Sequence, residues 1–224
     1  MDSKAINEQQ VRAFLSGLFE HDLHAKRVLS LALAALGVIH AASLSVYAIG
    51  QALAAARGTL GKHGVKQVNR MLSNKGLNVW TLLESWVPYV LAQKTEVVIA
   101  LDWTDFDADD PTTLVASVLT NHGRPTPLVW LTMQKSTLKG LRNHAEDEVI
   151  LRLRELIPRN VKVTLLADRG FADRQLYTLL EKVGCAYVIR FRKIIKVTSE
   201  QRSAERRRSG CPRRDSCDCS RERA

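Results

Sequence analysis

Two apolar runs in this chain end in the same way. Val97-Val98-Ile99-Ala100-Leu101 leads into Asp102-Trp103-Thr104, and Val161-Lys162-Val163-Thr164-Leu165-Leu166-Ala167 leads into Asp168-Arg169-Gly170-Phe171. Runs of this length, rich in β-branched residues, read as buried strands. Each delivers one aspartate where the strand leaves the core. Side by side, the two strands aim two carboxylates at one point. Paired carboxylates are hard oxygen donors suited to Mg2+ or Mn2+, and so to chemistry on phosphate esters.

The surrounding pattern predicts how the strands are arranged. Strand-like stretches at Val97–Thr104, Thr113–Leu119 and Thr126–Met133 are joined by Asp109-Asp110-Pro111 and Asn121-His122-Gly123-Arg124-Pro125, the second a hairpin signal. A helix is predicted from about Leu141 to Leu156, with Val149, Ile150, Leu153, Leu156 and Ile157 as its core stripe. Strand four is Val161–Ala167, a helix runs from Asp173 to Val183, and strand five is Ala186–Phe191. The order is β-β-β-α-β-α-β. Right-handed crossovers then set strands one and four next to each other, with their acids together. That is the arrangement of a ribonuclease-H-like mixed sheet, an α/β fold.

Residues 1–95 read as a helical domain. Helical spacing covers Glu8–His21, Ala25–Gly37 and Ser43–Ala56. Gly58, Gly61 and Gly64 are then expected to break the pattern, and Val65–Ser73 resumes it with Lys66, Gln67, Asn69 and Arg70 on one side. Helix, glycine turn and short basic helix form the outline of a helix-turn-helix DNA reader. An ordinary bundle with a solvated basic face has the same outline. The stretch Val28–Ala56 has no formal charge. Its alanine-rich composition and flanking positive residues point to two packed helices rather than a membrane span.

A formal charge of +10 and a pI near 9.7 suggest a polyanionic partner, nucleic acid before membrane surface. Much of that charge lies in residues 198–224, which contain no Val, Ile, Leu, Met, Phe, Trp or Tyr. Such a segment cannot bury a core and is expected to be a disordered basic tail. Cys211, Cys217 and Cys219 in it form no CxxC pair, so free thiols are expected rather than a zinc site.

The residues at the two acids resemble a known family. Asp102-Trp103-Thr104, Asp168-Arg169-Gly170-Phe171-Ala172-Asp173 and the closing Tyr187-Val188-Ile189-Arg190-Phe191-Arg192 are similar to DDE transposases of the insertion-sequence-4 type. The resemblance covers roughly residues 20–197 and is sharpest at Asp168–Phe171. It implies a ribonuclease-H-like catalytic domain at 96–197 that cuts and joins DNA with divalent metal. Asp102 and Asp168 match the first two acids of its triad. It also implies double-stranded DNA at an element's terminal inverted repeats as partner, in a bacterial cytoplasm at the nucleoid. A homodimer, or pairing with a full-length transposase, goes with it. Lys66, Arg70 and Arg169 are the candidate DNA contacts, Arg169 either on phosphate or in a structural ion pair.

The third acid of the family sits in a Tyr-x2-Arg-x3-Glu-x6-Lys pattern that this chain does not contain. Tyr187 and Arg190 begin it, but residue 194 is Ile, and Glu200, Glu205 and Glu222 fall in the basic tail. The sheet is therefore expected to be incomplete and the chain a truncated, inactive copy, its tail read in another frame. The alternative is a non-catalytic DNA-binding remnant or inhibitor of transposition. Thr104 either orients Asp102 or fills a strand position. Asp107, Asp109 and Asp110 are assigned to turns, and none of the six histidines to metal. An EF-hand loop beginning at Asp105 is rejected, since Asp110 and Ala116 stand where it needs Gly and Glu. Trp80, Trp86, Trp103 and Trp130 are read as core or domain-junction residues.

Overall fold

A computed structural model describes residues 6–105, 110–121 and 123–190. The described residues divide into a helical unit, up to residue 94 with 155–158, and a sheet unit, from residue 95 to 154 and from 159 on.

The helical unit contains α1 (Glu8–Phe19), α2 (Ala25–Ala41), α3 (Val46–Ala56), α4 (Gly61–Leu72) and α5 (Val79–Leu91). Side chains start four of them, and on α2 it is His24 Nδ1, which accepts from Lys26 N–H at 3.3 Å. Asn7 and Gln10 form a reciprocal capping box on α1, Ser45 caps α3 and Asn78 caps α5. Val11, Leu15, Phe19, Val28, Leu33, Leu36, Leu53 and Val68 build a shared core. The uncharged stretch becomes α2 and α3, bent by 99° at the break between them. No single helix among the described residues is long and apolar enough to cross a membrane.

The glycine reading needs correction. Gly58 does end α3. It takes φ +62°, Thr59 N–H donates to Ala54 O (2.9 Å), and Gly58 N–H donates to Ala55 O (3.2 Å). That pair of bonds is a Schellman cap, whose left-handed residue suits glycine. Gly61 and Gly64, by contrast, lie inside α4. A Cβ on Gly64 would stand 2.0 Å from Gly50 O, and one on Gly50 would stand 2.4 Å from Val65 Cα. These glycines are where α3 and α4 cross backbone to backbone. Helix α5, which contains Trp80, Trp86 and Pro88, was not resolved as a separate helix by the sequence pattern.

The sheet unit contains β1 (Glu96–Asp105), β2 (Pro111–Val118), β3 (Thr126–Gln134), α6 (Lys135–Leu138), α7 (Arg142–Leu156), β4 (Lys162–Ala167), a 3-10 turn (Arg169–Phe171), α8 (Arg174–Lys182) and β5 (Ala186–Ile189). The five strands lie in the order β3-β2-β1-β4-β5. β1 is antiparallel to β2 and β2 to β3, while β1–β4 and β4–β5 are parallel. With the N-terminal helices, this is the mixed α/β architecture expected, consistent with a ribonuclease-H-like sheet. The short α6 was not anticipated. Asp110, assigned to a turn, holds its start, accepting from Ser136 N–H (3.2 Å) and Ser136 Oγ–H (2.8 Å). Phe191, Asp107, Asp109 and the tail from 198 lie outside the described residues.

Strand alternation gives the sheet two unlike faces. Val97, Ile99, Leu101, Leu114, Ala116, Val163 and Leu165 are buried on one. Helices α7 and α8 lie there, as a Trp103–Glu146 hydrogen bond and the stacking of Tyr177 on Tyr187 show. Val149, Ile150 and Leu153 of the predicted stripe are buried, as are Leu176 and Leu180 of α8. The other face carries Val98, Ala100, Asp102, Val115, Trp130, Leu166 and Val188. Trp130 on it is 40% exposed, so of the two places expected for it, core or domain junction, the core is ruled out.

Candidate active site

The parallel register decides where the two acids meet. β1 and β4 pair from Glu96–Lys162 up to Leu101–Ala167. Asp102 and Asp168 each follow the last paired residue. They emerge at the same end of neighbouring strands, whose paired backbones lie about 4.8 Å apart, and both are exposed. On its other side Asp102 is still held in the ladder, opposite Val115.

Asp168 is fixed locally. It caps the 3-10 turn, its Oδ1 accepting from Gly170 N–H at 2.7 Å. A Cβ on Gly170 would stand 2.8 Å from that same Oδ1. Glycine at this position thus lets the turn close on the carboxylate while one oxygen remains outside that bond. Phe171 drops into the core at 2% exposure and anchors the turn.

Behind the acids, on the helix-covered face, stands a cluster that the sequence pattern did not reveal. Trp103 Nε1–H donates to Glu146 Oε1 at 2.9 Å, and Arg142 Nε–H donates to the same oxygen at 3.1 Å. The Arg142 guanidinium lies over the Trp103 ring, 5.2 Å from its centroid. The Glu146 side chain is 4% exposed. One turn away, Asn143 Nδ2–H donates to Asp173 Oδ2 at 2.6 Å, while Asp173 Oδ1 caps α8. The one sequence signal for the cluster was the i, i+4 spacing of Arg142 and Glu146, common on solvated helices.

Burial pushes the Glu146 carboxyl above the usual range, against the hydrogen bonds from Trp103 and Arg142 and the charge of Arg142; neighbouring Asp147 pushes the same way as burial. A carboxyl whose folded pKa is raised adds stability below its unfolded value, near 4.5. That stability is lost as pH rises through the folded value. Glu146→Gln keeps the oxygen acceptor and removes the charge. The gain in urea midpoint of Glu146→Gln over the parent is therefore expected to grow as pH rises above 4.5 and then level off. A difference that stays flat from pH 4 to pH 8 contradicts this account.

Other candidates fall in different places. Thr104 is exposed, on the same face as Asp102, and its carbonyl accepts from Thr112 Oγ1–H at 3.2 Å. Arg169 is exposed as the first residue of the 3-10 turn. In the helical unit, Lys66 and Arg70 are exposed with Lys62, His63 and Asn69 on α4, whose Gly64 and Val68 are buried. Cys185 is buried with a free thiol, which burial pushes up. Cys211, Cys217, Cys219, Glu200, Glu205 and Glu222 lie outside the described residues. Among those described, no group of three or more His, Cys, Asp or Glu stands placed to hold a metal ion.

Two hard-oxygen carboxylates still suit Mg2+ or Mn2+, ions that commonly take one or two protein carboxylates, several waters and the oxygens of a phosphate substrate. Comparison with curated proteins gives no match. Residues 93–223 match the family model of the transposase DDE domain, over half the chain and across the whole sheet unit into the basic segment. Such domains interact with DNA and usually use divalent metals. With its strand order, its paired aspartates and this match, the chain belongs to the transposase DDE domain family.

Proposed function

We propose that this protein carries out metal-dependent DNA cleavage and strand transfer at the ends of an insertion sequence of the type-4 group. Asp102 and Asp168 serve as metal ligands in this reading. The observation that carries it is their position immediately past the Leu101–Ala167 pair on neighbouring parallel strands. Mg2+ or Mn2+ bound there would activate the attacking oxygen and stabilise the leaving oxygen of an in-line displacement at phosphorus. The chain's own part is to hold two carboxylates at a fixed separation on an exposed strand end, where a duplex backbone has access. Arg169, in the turn beside Asp168, is given a phosphate contact.

The α3–turn–α4 pair is assigned to DNA recognition. α4 presents Lys62, Lys66 and Arg70 on one exposed face, as a helix entering a groove requires. Together with a net charge of +10 this supports terminal repeats as the partner. A bacterial nucleoid is the location that goes with this reading. The expectation of an inactive copy rested on the third acid, and the tail glutamates it concerns lie outside the described residues. Metal-dependent chemistry is favoured over a non-catalytic remnant by the two preserved acids and by the reach of the family match to residue 223.

The test is purified chain with a supercoiled donor plasmid carrying the element's own ends, in Mn2+ and in EDTA. Nicked or joined products in Mn2+ alone support the proposal. Retardation of the end fragments without any cleavage in Mn2+ supports the remnant. A second expectation concerns Gly170. Gly170→Ala forces the Asp168 carboxylate away from its bond with the turn. It should weaken Mn2+ binding about tenfold, the scale on which groups that orient metal ligands act. Titration calorimetry checks this, with the circular dichroism spectrum unchanged. Parental affinity in a folded Gly170→Ala chain would show that the turn does not orient Asp168.

A further inference from the structure

Beyond Leu101–Ala167 the sheet itself no longer sets the distance between the segments that carry the acids. β1 continues to Asp105 paired only with β2, and β4 gives way to the 3-10 turn. Past this point the start of α7 reaches both segments. On the β1 side, Glu146 accepts from the indole of Trp103, the residue next to Asp102. On the other side, Asn143 donates to Asp173, the N-cap of α8, which follows the 3-10 turn that Asp168 caps. Arg142 spans both. Its Nε–H bonds Glu146, its guanidinium covers Trp103, and its Nη2 lies 3.7 Å from where a Cβ on Gly170 would stand.

We infer that the start of α7, from Arg142 to Glu146, is a bracket that sets the separation of the Asp102 and Asp168 carboxylates. Glu146 is a positioning residue acting through Trp103, and Asn143 one acting through Asp173. The Trp103–Glu146 bond lies on the covered face of the sheet, with the Glu146 side chain 4% exposed. The bracket works by fixing backbone. Two attachments to successive turns of one helix restrict where each strand end can lie relative to the other. A metal site needs that, since ligand groups must be held to within about 0.5 Å of their working geometry.

This inference rests on the proposed role of the two acids, and the experiment separates the two. Mn2+ affinity is measured by titration calorimetry on the full chain and on Trp103→Phe, Glu146→Ala, Glu146→Gln and Asp168→Asn, with a thermal melt of each. Trp103→Phe keeps an aromatic ring under Arg142 but removes the indole donor together with its five-membered ring. Glu146→Gln keeps the acceptor that Glu146→Ala removes. The expected result is a loss of affinity of about tenfold in Trp103→Phe and Glu146→Ala, near-parental affinity in Glu146→Gln, and no binding in Asp168→Asn. A purely structural role predicts lowered melting temperatures with parental Mn2+ affinity in the folded chain. That outcome, with Asp168→Asn inactive in binding, overturns the bracket. Equal loss in Glu146→Gln and Glu146→Ala overturns it as well, by showing that charge rather than the shared acceptor matters. Should Asp168→Asn bind Mn2+ normally, the acids are not the ligands, and the metal reading falls together with the bracket that serves it.

Discussion

Asp168→Asn should remove Mn2+-supported cleavage of the element's ends, with the product of strand transfer falling below detection. The substitution is close to isosteric, and asparagine oxygen can still accept from Gly170 N–H. The turn is therefore preserved while the negative charge is lost. A single remaining carboxylate at Asp102 offsets too little of the hydration that Mg2+ or Mn2+ gives up, since Mg2+ in particular dehydrates reluctantly. Without the ion, neither the attacking nor the leaving oxygen is stabilised. Losses from removing one such electrostatic element reach a hundredfold to a thousandfold elsewhere, and removal of a ligand should be at the upper end of that range. Gel analysis of plasmid products over time is the measurement. DNA retardation should be unchanged, because the exposed face of α4 is untouched. Cleavage within tenfold of the parent would place the chemistry away from Asp168.

Gly64→Ala is expected to be the most destabilising single change in the helical unit. The new Cβ has the Gly50 carbonyl oxygen 2.0 Å away and the Ala54 Cβ at 3.1 Å. The first obstacle is backbone, and it cannot rotate aside as a side chain would. α3 and α4 must separate, which also pulls Val68 and Leu53 from the shared core. Overpacking of this kind costs about 1–3 kcal/mol and at times more, and a backbone obstacle argues for about 3 kcal/mol or above. Urea unfolding followed by circular dichroism reads the change. Affinity for duplex should fall with it, since α4 then loses its fixed angle to α3. Gly17→Ala, with nothing within 4 Å of the new Cβ, is the matched control and should be neutral or slightly stabilising.

Much of the sheet was legible because its signals are local. Val97–Leu101 and Val161–Ala167 are unbroken apolar runs, and such runs announce buried strands. The handedness of crossovers then turned strand order into adjacency, and adjacency brought Asp102 and Asp168 together before any geometry was known. Strand and helix ends mostly moved by one to four residues. What the pattern missed depended on distant partners. Gly64 looked like a helix breaker because the Gly50 carbonyl that requires a bare backbone there is 14 positions away in the chain. Trp103 looked like core because its acceptor, Glu146, is 43 positions away on a helix with ordinary surface spacing. Trp130 also looked like core, yet it lies on the sheet face that the two crossover helices leave open.

Two carboxylates acting as one metal site are the centre of the proposed mechanism, and direct binding tests them most plainly. Mn2+ is titrated calorimetrically into the parent chain, Asp102→Asn and Asp168→Asn, each confirmed folded by circular dichroism. One site in the parent and none in either variant is the predicted result. Parental Mn2+ affinity in both variants would contradict it.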